Sequence, residues 1–205
     1  MSENVGELAW VKELFPESKS YLNVYESYEL FGPRSIFGHC VHLGDEDFSS
    51  FNQAGATMAH CPTSNLFLGS GLFHLNQAKN PSRPVKTGLG TDVGGGTSFS
   101  MLQTLNEAYK VARLNQTRLD SIQAFYLATR GGAEALDLGD KIGSIAPGYE
   151  ADLIVLDPAS TPLIKFRMEY AGTLEEKLFV LMTLGDDRSI KATYVAGKKA
   201  HDRDA

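Results

Sequence analysis

Short apolar runs alternating with longer amphipathic stretches decide most of what this chain can become. "RSIFGHC" (34–40), "ATMAHC" (56–61) and "PVKTGLGTD" (84–92) are brief and apolar, as strands buried on both faces are. The segments around them carry helical spacing. "VGELAWVKELF" (5–15) aligns Leu8, Val11, Leu14 and Phe15, and "SFSMLQTLNEAYKVARLN" (98–115) aligns Met101, Leu105, Ala108 and Ala112. "GDEDFSSFNQAG" (44–55) offers Asp45 or Asp47 as a cap and Gly55 as a terminator, while "SIQAFYLATRGGAEAL" (121–136) reads as a helix pair hinged at Gly131 and Gly132. Strand and helix in this order predict parallel strands joined by right-handed crossovers. Only three such strands are visible in 205 residues. A closed eight-stranded barrel takes roughly 250 residues, and a doubly wound sheet usually has about five strands or more. The sheet is therefore small or incomplete.

The pattern changes near residue 140. "GSIAPGYEADLIVLDP" (143–158) runs from a Pro-Gly turn into the strand "DLIVLD", and "SIKATYVAGKKAHD" (189–202) reads as two strands joined at Gly197. Between them "LEEKLFVLMTL" (174–184) predicts one helix. The division expected is an α/β part over 1–140 and a small β-rich module over 141–205. "NQAKNPSRP" (76–84) is expected to be a surface loop.

Charge and cysteine content remove several function classes. Nineteen basic against 25 acidic residues, net −6, give no basic footprint for nucleic acid or an anionic membrane. The two cysteines, Cys40 and Cys61, are not a C-x-x-C pair, so neither a disulfide framework nor a cysteine zinc motif is indicated. No apolar run approaches a membrane span, and "MSENVGELAW" lacks the basic and apolar regions of a secretory signal. A cytoplasmic location is the expectation.

"GLGTDVGGG" (88–96) surrounds one carboxylate, Asp92, with glycines. Phosphate loops need G-x-G-x-x-G opening a helix or a following lysine, and this stretch has neither. An acid at the C-terminal tip of an apolar strand remains, with Gly94 to Gly96 letting the backbone turn away. The alternative is that Asp92 caps a helix starting near Ser98. In "GHCVH", His39 and His42 are three apart on a strand pattern and face opposite sides, so at most one points into a site; His39 is preferred, with His42 in the following loop. His60 ends the next strand and Glu3 lies near the N-terminus, where each read singly is an ordinary structural or solvated group. Taken together, Glu3, His39, His60 and Asp92 offer ligands and a proton shuttle for hydrolysis by an activated water.

"SEN", "FGHCVHL", "AHCPTSNLFLGSG", "GLGTDVGGG", "IGSIAPGYEADLIVLD" and "LGDDRSIKATYVAGK" together resemble the C-terminal half of the bacterial-type guanine deaminases, in the metal-dependent amidohydrolase superfamily. The resemblance runs from residue 2 to the end. It implies an α/β fold: 1–140 as the last strands and helices of a (β/α)8 TIM barrel, and 141–205 as part of a composite β-sandwich. It also implies one zinc ion, Zn2+, per complete site. Of the family's metal ligands only the eighth-strand aspartate maps here, onto Asp92. The fifth-strand motif H-x-S-E begins at its second letter, so its histidine would precede Met1, and the guanine-contacting arginine lies farther upstream. For a complete enzyme the resemblance implies that Asp92 takes a proton from water polarised by His39. Glu3 then protonates the ring, and guanine becomes xanthine and ammonia. The chain alone is expected to be inactive and to hold zinc weakly. Family members are commonly homodimers. Two further expectations stay open: an aminohydrolase of another ring, a triazine or a different purine, and a noncatalytic remnant pairing through strand edges near "RSIFGHC".

Overall fold

The computed structural model describes all 205 residues. In chain order the elements begin with α1 (Val5–Leu14), α2 (Tyr21–Ser27), β1 (Ile36–Gly38), α3 (Asp45–Ala54), β2 (Thr57–His60), α4 (Pro62–Phe67), α5 (Leu75–Ala78) and β3 (Lys86–Leu89). Then follow α6 (Met101–Leu114), α7 (Ser121–Ala128), α8 (Arg130–Ala135), β4 (Leu153–Leu156), α9 (Pro162–Met168), α10 (Leu174–Leu184), β5 (Ile190–Val195) and β6 (Lys198–Asp202).

The three expected strands form one parallel sheet in the order β1-β2-β3, with Phe37 opposite Met58 and Met58 opposite Thr87. Parallel pairing follows because each strand is followed by helix that carries the chain back to the same edge. Helix α3 does this between β1 and β2: Asp47 accepts the backbone N–H of Gly44 at 2.9 Å, and Gly55, in the left-handed region, ends the helix. Its buried face, Phe48 and Phe51, meets Phe31 and Phe37, with Phe51 centred 4.9 Å from Phe31 and 5.5 Å from Phe37, both edge-on. The core continues through Met58, Phe73, Val85 and the inner face of α6, where Leu102, Leu105, Ala108 and Ala112 are buried.

The outer edge of β1 is covered at its C-terminal end. The Met1 ammonium donates to the Gly38 carbonyl and the Cys40 N–H donates to the Met1 carbonyl, each at 3.1 Å, so the first residues run alongside the strand. The expectation of an unpaired edge near "RSIFGHC" is thereby corrected at its end, Gly38 and Cys40, while β1 remains the edge strand of the sheet. The break between α7 and α8 falls at Thr129 (φ −125°, ψ −96°), one residue before α8, and not at Gly131 and Gly132. Those glycines lie inside α8: a Cβ on Gly131 would meet Tyr126 of α7 at 2.9 Å, and a Cβ on Gly88 of β3 would stand 3.2 Å from the Gly132 Cα. The stretch expected to be a loop over 76–84 begins inside α5 and is loop only after Ala78.

The second sheet is antiparallel, β4-β5-β6, closed by a two-residue hairpin at Ala196 and Gly197, both at positive φ. Helix α10 runs back to the first region: its Met182 is fully buried, Asn106 of α6 donates to the Thr183 carbonyl at 2.9 Å, and Ser121 of α7 donates to the Glu175 carbonyl at 2.7 Å. No helix is long and apolar enough to cross a membrane.

Candidate active site

Because β1, β2 and β3 are parallel, the residues leaving their C-terminal ends collect at one edge, where α/β folds place ligands. His39 follows β1, Cys61 follows β2, and Asp92 lies three residues beyond β3. Glu3 joins them because the first residues run beside β1 and deliver it just before Asn4, the cap of α1. His39 Nε2 lies 3.7 Å from Glu3 Oε2 and 3.7 Å from Asp92 Oδ2. The three side chains are 17%, 22% and 39% exposed, a shallow bowl open to solvent on the Asp92 side. Neither carboxylate has a lysine or arginine within ion-pair distance; His39 is the sole basic group beside them.

The rest of the His39 ring is anchored from below. Its Nδ1–H donates to Asn65 Oδ1 at 2.9 Å, and Asn65 in α4 is 1% exposed. A buried amide therefore fixes which nitrogen faces the carboxylates. Glu3 is held in turn by Ser70, whose hydroxyl donates to Oε1 at 2.9 Å. His42 sits in the loop after β1, as expected, with Nε2 at 2.9 Å from the Ser70 carbonyl, so it braces the same turn without entering the bowl.

Backbone strain concentrates here. Of nine non-glycine residues at positive φ, Ser2 (50°), His39 (66°), Cys40 (50°) and Asp92 (47°) lie at these strand tips. Such conformations each cost on the order of 1–3 kcal/mol and persist where the surroundings over-determine them. Gly94 (φ 117°) and Gly95 complete the turn: a Cβ on Gly95 would lie 2.8 Å from Ser64 Oγ and 3.3 Å from Asp92 Oδ2. A Cβ on Gly96 would collide with the Thr91 carbonyl. The helix-cap alternative for Asp92 fails, because α6 is capped by Ser100, whose side chain accepts from Gln103 N–H.

Two residues depart from the sequence reading. His60 does not join the set: it is 1% exposed and stacked on Phe73 with ring centroids 4.5 Å apart, and burial pulls its pKa down to about 3. Cys61, which the sequence left without a role, does join it. Its Sγ and the ligand atoms of His39 and Asp92 all lie within 4.8 Å of one another. Burial pushes the Cys61 thiol up from its ordinary value, with an opposing pull from the His39 backbone. The one signal for Cys61 was its place immediately after an apolar strand.

The stretch that follows β2 is polar and incompletely paired. His60 Nδ1, Thr63 Oγ1, Ser64 Oγ and Asn65 Nδ2 are buried side-chain atoms without a hydrogen-bond partner, and all four belong to "HCPTSN" (60–65). Roughly nine-tenths of buried polar groups find partners, so four such atoms in one stretch stand out; three of them belong to α4, whose Asn65 holds the His39 ring.

A parallel sheet with acids and histidine at its carboxyl edge is the arrangement of metal-assisted hydrolases, and the chain belongs to the amidohydrolase family, whose profile matches residues 1–200. Within that family it is similar to guanine deaminases. That of Escherichia coli (strain K12) is 52% identical over 203 residues, covering 99% of this chain and 46% of the relative. The solved E. coli structure superposes with a TM-score of 0.96, covering 99% of this chain and 47% of that one. A guanine deaminase from C. acetobutylicum, solved with bound guanine in its active site, is 31% identical with a TM-score of 0.85, covering 97% of this chain and 47% of that one. The chain thus spans about half the length of the relatives it matches.

Proposed function

We propose that this chain provides the C-terminal part of a guanine deaminase site, in which Glu3, His39 and Asp92 handle the protons of a hydrolytic deamination. The observation that carries the reading is the convergence of both carboxylates on His39 Nε2, each at 3.7 Å. The 52% identity to the E. coli relative supports guanine as the substrate. Residues 1–140 then correspond to the last strands and helices of a (β/α)8 barrel, and 141–205 to part of a composite β-sandwich, with α9 and α10 returning to the helical layer. The parallel sheet with its groups at the carboxyl tips and the separate antiparallel sheet support that division.

Asp92 stands where it can accept a proton from the attacking water, and its half-exposed carboxylate reaches solvent through the mouth of the bowl. His39, its ring held by Asn65, orients that water against C2 of the purine. Glu3, steadied by Ser70, delivers a proton to ring nitrogen N3 as the C2–NH2 bond breaks. In sum, guanine and water give xanthine and ammonia. A zinc ion, when bound, supplies the Lewis acidity that makes water acidic near neutral pH. Asp92 fits that role as an anionic oxygen ligand beside a second carboxylate and an imidazole.

The test is a chimera in which this chain replaces the matching part of the E. coli relative. Xanthine is expected from guanine, while a triazine and other purines turn over far more slowly. A folded, zinc-loaded chimera that leaves guanine untouched overturns the proposal.

A further inference from the structure

Residues of α6, α7, α9 and α10 line a groove of about 750 Å³, within the range of about 300–1,000 Å³ that small-molecule sites occupy. Leu119 and Val180 give it buried apolar surface. Tyr109 and Phe179 line it edge to face with ring centroids 5.3 Å apart, and Tyr170, 73% exposed, leaves a ring open to solvent. The charges set the groove apart. Of the eight arginines in the chain, Arg83, Arg130, Arg188 and Arg203 pair with carboxylates at 3.0 Å or less. Three of the other four, Arg113, Arg118 and Arg167, line this one concavity, and the single ion pair among them is Arg118 with Asp120 at 3.8 Å. The acids beside them are mostly engaged. Asp120 accepts the Gln123 N–H at 2.9 Å to cap α7, and Glu176 accepts the Gly172 and Thr173 N–H groups at 2.8 and 3.0 Å before α10. Only the Glu175 carboxylate is left free. The groove is also remote from the catalytic bowl. Arg113 lies twelve residues past Met101, about 18 Å along α6, and α6 starts at the end that follows Asp92.

We propose that this groove binds a mononucleotide, with Arg113, Arg118 and Arg167 on its phosphate and its base against the aromatic rings. In a chain of net charge −6, three arginines gathered without a close anion favour one from outside. Guanidinium groups bind phosphate oxygens in a planar, paired geometry that a lysine does not reproduce. Tyr170 and Phe179 supply faces for a base, which stacks on aromatic side chains whatever its identity. Glu175 is an acceptor for ring N–H groups, and guanine presents these at N1 and at its 2-amino group. A bare phosphate uses the arginines alone and a nucleoside the rings alone, so the lining suits the two joined. No covalent bond is made or broken. None of these residues handles a proton in the proposed deamination, so the site does not depend on that reading.

Calorimetric titration of the 205-residue chain with GMP is expected to saturate at one nucleotide per chain. Guanosine and inorganic phosphate, each tested as a competitor, displace it only at concentrations about tenfold higher or more, since each lacks half of the contacts. The double variant Arg113→Gln, Arg167→Gln lowers GMP affinity by about tenfold or more, the least that losing a hydrogen bond to a charged group costs. Tyr170→Ala lowers it by about fivefold or more through lost stacking. Asp92→Asn keeps full affinity, which places the nucleotide outside the bowl, and circular dichroism confirms that each variant is folded. The proposal is overturned by a wild-type chain that shows no saturable binding, or by guanosine or phosphate competing as well as GMP itself. Unchanged affinity in the arginine double variant or in Tyr170→Ala, or a loss in Asp92→Asn, overturns it too. Guanine turnover is not read, so the outcome is separate from the deaminase proposal.

Discussion

The two sheets of this protein solve different problems. In the parallel sheet, Phe37, Thr57, Met58, His60 and Thr87 are all buried, and helices cover the strands. In the antiparallel sheet only Ala192 is buried, while Ile154, Val155 and Val195 remain 49%, 40% and 54% exposed. What fastens the second sheet is polar: Arg203 bridges Asp157 at 2.8 Å and the Arg188 carbonyl at 2.7 Å, and Ala196 N–H donates to Asp152 at 2.7 Å. The contrast teaches where strained, charged chemistry can be placed. Left-handed backbone at His39, Cys40 and Asp92 needs a rigid apolar foundation, and the parallel sheet has one. The other sheet has a hairpin whose two positive-φ residues are ordinary turn geometry.

The comparison is broken most directly at the strand tips. In the chimera, Asp92→Asn is expected to lower kcat by about 10²–10⁴-fold, the range attributed to a positioned acid or base, with an unchanged thermal midpoint. An equal fall in stability would show Asp92 to be structural. Below the tips, Phe51→Ala removes a fully buried ring from the aromatic cluster and should cost about 3–5 kcal/mol in urea unfolding. A loss under about 1 kcal/mol would deny the first sheet its apolar foundation.

His60 sharpens the same contrast through pH. Its folded pKa, near 3, lies below the unfolded value near 6.5, so protons bind preferentially to the unfolded chain. The stability it contributes is complete above about pH 6.5 and declines as pH falls toward 3. Linkage over that window gives a loss of about 2 kcal/mol between pH 8 and pH 5. Urea midpoints across that range should show the slope, and His60→Gln should flatten it. The smallest effect belongs to the second sheet: Val155→Ala, at a partly exposed position, should change stability by no more than about 0.5 kcal/mol. A larger loss would mean that this face is packed in solution.

Much of this was legible in the residues. Three apolar runs gave three parallel strands, the glycines around Asp92 gave a sharp turn with an outward acid, and "LEEKLFVLMTL" gave α10 with its bounds. Helices α2, α4 and α9 escaped notice because each is seven residues or fewer, too short for periodicity to accumulate. Their signals were in the caps: Ser20 before α2, Pro62 opening α4, and Thr161 with Pro162 opening α9. The break at Thr129 was misplaced because paired glycines suggest a hinge, whereas here Gly131 leaves room for Tyr126 and Gly132 lies against Gly88 of β3. Cys61 was missed because its relevance is wholly nonlocal. Only the pairing of β2 between β1 and β3 brings its sulfur beside His39 and Asp92. His60, its neighbour, points into the core, and neighbours on a strand face opposite ways.

The contact of Gly88 with Gly132 gives the outer helix a say over the acid. With no side chain between them, α8 sets the height of β3 directly, and Asp92 lies four residues further along the same chain. A methyl group at Gly88 would act like a shim under a lever. Displacement of a reacting group by about 1 Å can slow a reaction about a hundredfold, so on the proposed reading this seam is a place where rate can be tuned without altering Glu3, His39 or Asp92.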